Sequence, residues 1–138
     1  MAVHLVKFAP NVDGIIEDLE PRLQALLHLS AAASYVKYAK PLILTSLWRD
    51  PLHDADLHAM NRAFDFDVDD RDKYSGLQPD EAFIIASLIN KYAQYDPDRP
   101  WMKCCIYGED DPNGRHWNHV HVQVHPKTIL IDPFFACI

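Results

Sequence analysis

Two histidines separated by one residue stand in residues 118–124, a segment with the pattern of a β-strand. Its sequence, NHVHVQV, alternates polar and apolar residues, and strand side chains alternate between two faces. The valines therefore share one face, while His119, His121 and Gln123 share the other. At a rise of about 3.3 Å per residue, the two histidine α-carbons lie roughly 6–7 Å apart. Both imidazoles can then reach one small site. The alternative is a solvated sheet face that carries two histidines by chance.

A carboxylate interrupts a second alternating segment, residues 63–68 (AFDFDV). The two phenylalanines and the valine share the apolar face, and Asp65 lies between the phenylalanines on the other. A bare carboxylate in a buried strand is costly, so Asp65 must be hydrogen-bonded, paired or metal-bound. His58 lies upstream, across a bend in which Asn61 can adopt a left-handed conformation. Such a bend brings His58 back beside Asp65.

Two histidines and one carboxylate form a known ligand set for catalytic zinc, which keeps a fourth position open for water. A single carboxylate leaves the complex positively charged, so the bound water is strongly acidified. Non-haem iron oxygenases also use two histidines and a carboxylate. In those enzymes the first histidine and the carboxylate are typically one residue apart. The wider separation of His58 and Asp65 disfavours iron.

The segments that must position these residues indicate an α+β domain. Residues 14–40 repeat apolar side chains near the helical period of 3.6, with Pro21 as a possible second start, and Pro79 begins another helix. Strands are predicted for four segments, residues 42–48, 63–68, 102–107 and 118–124. The tail, residues 128–138, is apolar enough to pack on the body. Without regular βαβ alternation, we expect a small antiparallel sheet with the helices packed on one side.

Length and charge limit the classes of function. The chain has 138 residues, of which 49% are hydrophobic, so we expect one domain, residues 1–138, with a real core. It carries 13 basic and 20 acidic residues, a formal charge of -7. This balance disfavours nucleic acid and anionic membrane surfaces as partners.

The cysteines and the N-terminus bear on the compartment. Three cysteines, Cys104, Cys105 and Cys137, make no disulfide framework, as expected for thiols in a reducing compartment. The first residues lack a signal-peptide pattern, and no apolar window approaches the roughly 18 residues of a membrane helix. We therefore expect synthesis as a soluble cytoplasmic chain.

Three motifs follow one another along the chain. Residues 46–49 read SLWR, residues 58–65 read HAMNRAFD and residues 116–121 read HWNHVH. In this order they resemble the S-x-x-R, H-x-x-G-x-A-x-D and H-x-x-H-x-H signatures of the LAS zinc peptidases. That family includes D-alanyl-D-alanine carboxypeptidases, L-alanyl-D-glutamate peptidases and related phage endolysins, and the hedgehog signalling domain shares its fold. The resemblance spans about residues 42–124 and implies this fold.

The resemblance implies a role for each site residue. The implied zinc ligands are His58, Asp65 and His121. His119 would be the general base, taking a proton from the attacking water and passing it to the leaving amine; a structural role is the alternative. Arg49 would hold the substrate carbonyl or carboxylate and stabilise the oxyanion, or else form a surface ion pair. His116 would contact the tetrahedral intermediate or orient the site, or else be a surface loop histidine.

The chain departs from the family pattern at three positions. Asn61 stands where glycine is usual, which a left-handed bend tolerates, and Asp56 stands where a serine often precedes the first ligand. Asn118 replaces the glutamate found three residues before the last ligand in other branches, which leaves histidine as the base. The acidic residues 67–72 resemble a calcium-type oxygen site, although a run of charges is usually a solvated loop.

The function implied by the resemblance is cleavage of peptidoglycan stem peptides by a monomeric zinc peptidase. A small chain without a signal peptide would suit a phage lysis enzyme that acts on the cell wall after release through a separate pore. The alternative is a catalytically inactive, zinc-stabilised binding module of the same fold. A metal-free structural or interaction protein would leave Asp65 unexplained.

Overall fold

The computed structural model describes residues 5–48, 57–58, 60–68, 76–110 and 118–131. Within these ranges the chain is an α+β protein, as the sequence predicts. Its helices and strands are, in chain order, β1 (Val6–Phe8), α1 (Pro21–Tyr38), β2 (Leu42–Ser46), β3 (Ala63–Asp67), α2 (Pro79–Tyr92), β4 (Ala93–Gln94), β5 (Cys105–Ile106), β6 (His119–Gln123) and β7 (Ile129–Leu130). Short 3-10 turns occupy Ile16–Asp18 and Gly108–Asp110.

Both helices begin at a proline, where the missing N–H costs no hydrogen bond. Ahead of α1, the Glu20 carboxylate accepts the N–H of Arg22 at 3.1 Å. Residues 14–40 are therefore helical mainly from Pro21 onward. In the first turn of α2, the carboxylate of Glu81 accepts the N–H of Gln78, the residue before the helix, at 2.9 Å, which satisfies a donor that a helix end otherwise leaves open.

Five strands form a mixed sheet in the order β1-β2-β3-β6-β5. The expected all-antiparallel sheet is wrong at one edge, because β1 pairs with β2 in parallel. The β1–α1–β2 connection explains this, since a helical crossover returns the chain in its original direction. With three residues, β1 is too short to show an alternating pattern, and the sequence did not predict it. The other three pairings are antiparallel.

Helix α1 and helix α2 share one buried core with the apolar face of the sheet. Phe64 and Phe66 are fully buried there, and the same cluster holds residues from both helices and from β6: Leu23, Leu26, Leu27, Ile85, Ile89, Val120 and Val122. This apolar burial is the main stabilising contribution to the domain. The position of the core also shows which way the side chains of β3 and β6 point. Residues that alternate with the core residues along these strands must lie on the opposite face of the sheet.

The β5 edge of the sheet is covered by a side chain. Asn90 on α2 donates to the carbonyl of Cys105 at 2.8 Å and accepts the N–H of the same residue at 2.8 Å. The predicted strand over residues 102–107 is thus reduced to Cys105–Ile106. The start of the tail pairs as β7 with β4, and residues 132–138 lie outside the described part of the chain.

Length and apolar composition together decide whether a helix can cross a membrane. Neither α1 nor α2, the two α-helices in the described ranges, meets both requirements.

Candidate metal centre

The sheet register brings the predicted site residues into adjacent cross-strand pairs. Asp65 on β3 lies opposite His121 on β6, and Asp67 lies opposite His119. On the other side of β3, Ser46 pairs with Asp65 because the β2 register shifts between Leu44 and Ser46. Such a bulge re-aims the residues that follow it. The assignment of Asp65, His119 and His121 to one face, predicted from strand alternation, is confirmed.

A tight bend brings His58 back to this face. The N–H of Asn61 donates to the His58 carbonyl at 3.2 Å, and the N–H of Arg62 donates to the Leu57 carbonyl at 2.9 Å. Asn61 has φ 56°, the left-handed conformation expected where the family pattern has glycine. Asparagine tolerates it better than most residues. His58 is 1% exposed.

Three side chains meet at one carboxylate oxygen. Nδ1 of His121 lies 2.8 Å from Oδ1 of Asp65, and Nε2 of His58 lies 3.4 Å from the same oxygen. The two imidazole rings are 5.2 Å apart between centroids. One potential ligand atom from each of the three residues lies within 4.8 Å of the others. His58, Asp65 and His121 are therefore close enough together to hold a metal ion, as the sequence predicted.

Neutral oxygens determine which way each imidazole is oriented. Nδ1 of His58 lies 2.9 Å from the carbonyl of Leu47, which can only accept, so this nitrogen carries a proton. Nε2 of His121 lies 3.1 Å from Oε1 of Gln123. The Gln123 amide donates its own N–H to the Lys103 carbonyl at 3.1 Å, so its oxygen is the atom turned toward His121. His58 thus donates through Nδ1 and turns Nε2 to Asp65, whereas His121 donates through Nε2 and turns Nδ1 to Asp65.

This arrangement requires a cation at Oδ1. Burial raises the pKa of the Asp65 carboxyl, but hydrogen bonds and charge from His121 and then His58 outweigh it and hold the pKa well below its ordinary range. The carboxylate is therefore ionised at 7% exposure. Protons on the two rings or one shared metal ion can balance its charge. Ligand histidines in metal sites commonly donate their outer N–H to a carbonyl or carboxylate oxygen, and both rings have that geometry. The donor set fits a metal ion of the zinc type.

His119 borders the cluster without joining it. Its Nδ1 lies 2.7 Å from Oδ1 of Asn118, and its Nε2 lies 4.0 Å from Oδ2 of Asp65. With the amide oxygen accepting from Nδ1, the ring presents Nε2 toward the carboxylate. The side chain is 26% exposed, so water can reach it. A base at the rim of a metal centre needs this combination of access and orientation.

The remaining predicted site residues, Arg49 and His116, lie outside the described residues, as do the acidic residues 69–72. Asp67 ends β3 on the site face, and the calcium hypothesis stays a prediction.

Sequence reasoning missed the Leu47 carbonyl, for which no side-chain signal exists. It also missed the contact of Gln123 with His121, although Gln123 shares the face of the histidines by alternation.

Comparison with known proteins found no match: no protein-family model, no curated protein and no solved structure resembles the chain significantly.

Proposed function

We propose that this chain is a zinc-dependent peptidase that cleaves peptide bonds in peptidoglycan stem peptides. The observation that carries the proposal is the convergence of two imidazole nitrogens on one buried carboxylate oxygen, each ring held by a neutral acceptor on its far side. A carboxylate that served only the fold would be satisfied more simply by backbone N–H groups. Two imidazoles aimed from different elements are typical of a metal centre.

Zinc is the metal that this donor set favours. Two imidazoles and one carboxylate make three protein ligands, and catalytic zinc keeps its fourth position for water or substrate. When bound there, zinc would acidify a water and polarise a carbonyl oxygen. The ligands are His58 through Nε2, His121 through Nδ1, and Asp65 through Oδ1.

His119 is the proposed general base. Its Nε2 faces the site at 4.0 Å from Oδ2 of Asp65, so it can take a proton from a water held above that carboxylate. It then passes the proton from Nε2 to the leaving amine. Asn118 holds the proton on Nδ1 and so keeps Nε2 as the nitrogen that accepts. The proposal gives Arg49 the substrate carbonyl and His116 the tetrahedral intermediate, as the motif resemblance implies.

The substrate class rests on the three ordered motifs. They resemble those of D-alanyl-D-alanine carboxypeptidases and L-alanyl-D-glutamate peptidases, which share a hedgehog-like fold, and phage lysis enzymes belong to the same group. The α+β architecture, with the site on the sheet face opposite the helices, is compatible with that fold. The proposed place of action is the cell wall, after release from the cytoplasm.

Digestion of purified peptidoglycan tests this proposal. Zinc-loaded protein should release stem-peptide fragments that mass spectrometry identifies by their new termini, and a chelator should abolish them. His119→Ala should lower the rate by about 10²–10⁴-fold and keep zinc bound. His28→Ala, at an exposed position on α1, is the matched control and should cleave normally. Zinc binding without new termini would refute the peptidase and favour an inactive, zinc-stabilised binding module.

A further inference from the structure

We propose that Gln123 is a positioning residue that selects Nδ1 of His121 as the metal-binding atom. The inference rests on the metal site of the proposed function and goes beyond its ligands. Gln123 occupies the end of β6, two residues after His121 and on the same face, because strand side chains repeat with period two. Its Oε1 lies 3.1 Å from Nε2 of His121.

The direction of this hydrogen bond follows from the other end of the amide. The Gln123 N–H group donates to the carbonyl of Lys103, next to β5, at 3.1 Å. Turning the amide over would bring its oxygen against the Lys103 carbonyl oxygen, which is repulsive because both atoms only accept. Oε1 therefore faces His121, and Nε2 of the ring must be the nitrogen that donates.

A neutral imidazole has one N–H and one lone pair, and either nitrogen can carry the proton. Nδ1 lies 2.8 Å from Oδ1 of Asp65, so without metal it donates its proton to this ionised carboxylate. With Nε2–H held by Gln123, a metal ion at the carboxylate takes the place of the Nδ1 proton and binds the ring through Nδ1. Without an acceptor at residue 123, the Nε2–H group loses this hydrogen bond and the ring is held less firmly with Nδ1 toward Asp65.

His58 provides an internal comparison. The Leu47 carbonyl holds its Nδ1 proton at 2.9 Å and leaves Nε2 for the metal. The two ligand histidines thus use opposite nitrogens, and each has a neutral oxygen beside its other nitrogen. At His58 the nearer of these is the Leu47 backbone carbonyl, which no side-chain substitution removes, and the Ser46 hydroxyl lies 3.3 Å from the same Nδ1. The oxygen beside His121 belongs to a side chain, which makes its role testable.

Burial of Gln123 strengthens its influence on the His121 ring. Gln123 is 7% exposed, so water cannot easily replace Oε1 as the acceptor. Outer partners of ligand histidines are worth about 10–100-fold in metal affinity. We expect a loss of that size when the acceptor is removed and little loss when it is retained.

Two variants test whether Gln123 acts by orienting the His121 ring or only by attaching β6 to the Lys103 carbonyl. Gln123→Met and Gln123→Glu both lose the amide donor to that carbonyl, but only Gln123→Glu keeps an acceptor toward His121. Gln24→Met is the matched control, because the Gln24 amide on α1 also donates to a backbone carbonyl, that of Leu19 at 2.8 Å. Zinc affinity is measured by competition with a chromophoric chelator. Long-range proton–nitrogen correlation spectra identify the protonated and the metal-bound nitrogen of His121.

The expected result is zinc on Nδ1 in the unaltered chain, a roughly 10–100-fold weaker affinity in Gln123→Met, and near-normal affinity on Nδ1 in Gln123→Glu and Gln24→Met. Equal losses in Gln123→Met and Gln123→Glu would overturn the inference in favour of a structural tether. Normal affinity on Nδ1 in Gln123→Met would also overturn it.

One readout needs no variant. In the zinc-loaded, unaltered chain, His121 should carry its proton on Nε2 and bind zinc through Nδ1, and zinc bound through Nε2 would refute the inference even if Gln123→Met failed to fold. Failure of the proposed function is a different result. Zinc binding with the predicted nitrogen but without peptidoglycan cleavage would refute the peptidase alone, and an unaltered chain that binds no zinc would refute both.

Discussion

Replacement of Asp65 by asparagine should remove most of the stabilisation that zinc would give this chain at the proposed site. Oδ1 of Asp65 lies 2.8 and 3.4 Å from the two imidazole nitrogens, so a cation shared by the three groups lies within about 4 Å of the carboxylate charge. At that distance a carboxylate and a divalent cation attract each other by about 8 kcal/mol for an effective dielectric constant near 20. Asparagine keeps a neutral oxygen ligand and costs less to desolvate, and together these recover much of the lost attraction. We therefore expect an affinity loss of about 100-fold, or about 2.7 kcal/mol.

The loss of zinc affinity can be measured as a smaller rise of the thermal unfolding temperature on addition of zinc. Free zinc at 100 times the dissociation constant stabilises a binding protein by about 2.7 kcal/mol, which is worth about 10 °C for a domain of this size. Asp65→Asn at the same zinc concentration should gain only about 0.4 kcal/mol, or about 2 °C. Each variant is compared with its own chelated sample, so that changes in metal-free stability cancel.

Asp96→Asn is the matched control for this experiment. Asp96 is an aspartate at 3% exposure that accepts Nε–H of Arg99 at 2.7 Å and takes no part in the cluster. Its variant should unfold at a lower temperature in chelator but keep the full shift on addition of zinc. A full zinc shift in Asp65→Asn would refute the assignment of Asp65 as a ligand.

Three further predictions concern the bend, the core and the thiols. Asn61→Ala should lower the free energy of unfolding by about 1–2 kcal/mol because φ at this position is 56°, whereas Asn61→Gly should not lower it. Equal urea unfolding midpoints for the two variants would show that the left-handed conformation costs alanine nothing. Phe66→Ala should cost about 3–5 kcal/mol, and a cost below about 1 kcal/mol in urea unfolding would contradict its core position. Burial raises the pKa of Cys104 to about 12 and raises the pKa of Cys105 well above its ordinary value. Both should therefore resist alkylation at about pH 8 in the folded chain and react in urea, as peptide mass mapping can check. Since only the unfolded state ionises between about pH 8.5 and the raised pKa, stability should fall as pH rises through that window.

The faces of the central strands could be predicted because side-chain alternation is a local property. Asp65 interrupts two phenylalanines and His121 lies between two valines, so any sheet that buries the apolar residues turns these two to its other face. The left-handed bend at Asn61 was also predictable, since few other residue types adopt that conformation readily. Local rules of this kind hold whatever the partner strand.

The cross-strand register could not be predicted from the sequence. Pairing of Asp65 with His121 depends on how β3 and β6 slide along each other, and on the bulge that brings Ser46 beside Asp65. The parallel strand β1 escaped prediction because Val6–Phe8 is too short to show a period. The Leu47 carbonyl belongs to the backbone, where residue type carries no information about its direction.

The double hydrogen bond from Asn90 to Cys105 limits how a peptide can approach the proposed site. Many peptide-binding proteins take an extended ligand as one more strand along an open sheet edge. At Cys105 both outward backbone groups are already satisfied by the Asn90 amide, so strand addition there would first have to displace it. An extended peptide is therefore disfavoured as an added strand beside Cys105, the residue that pairs with Val122 of β6.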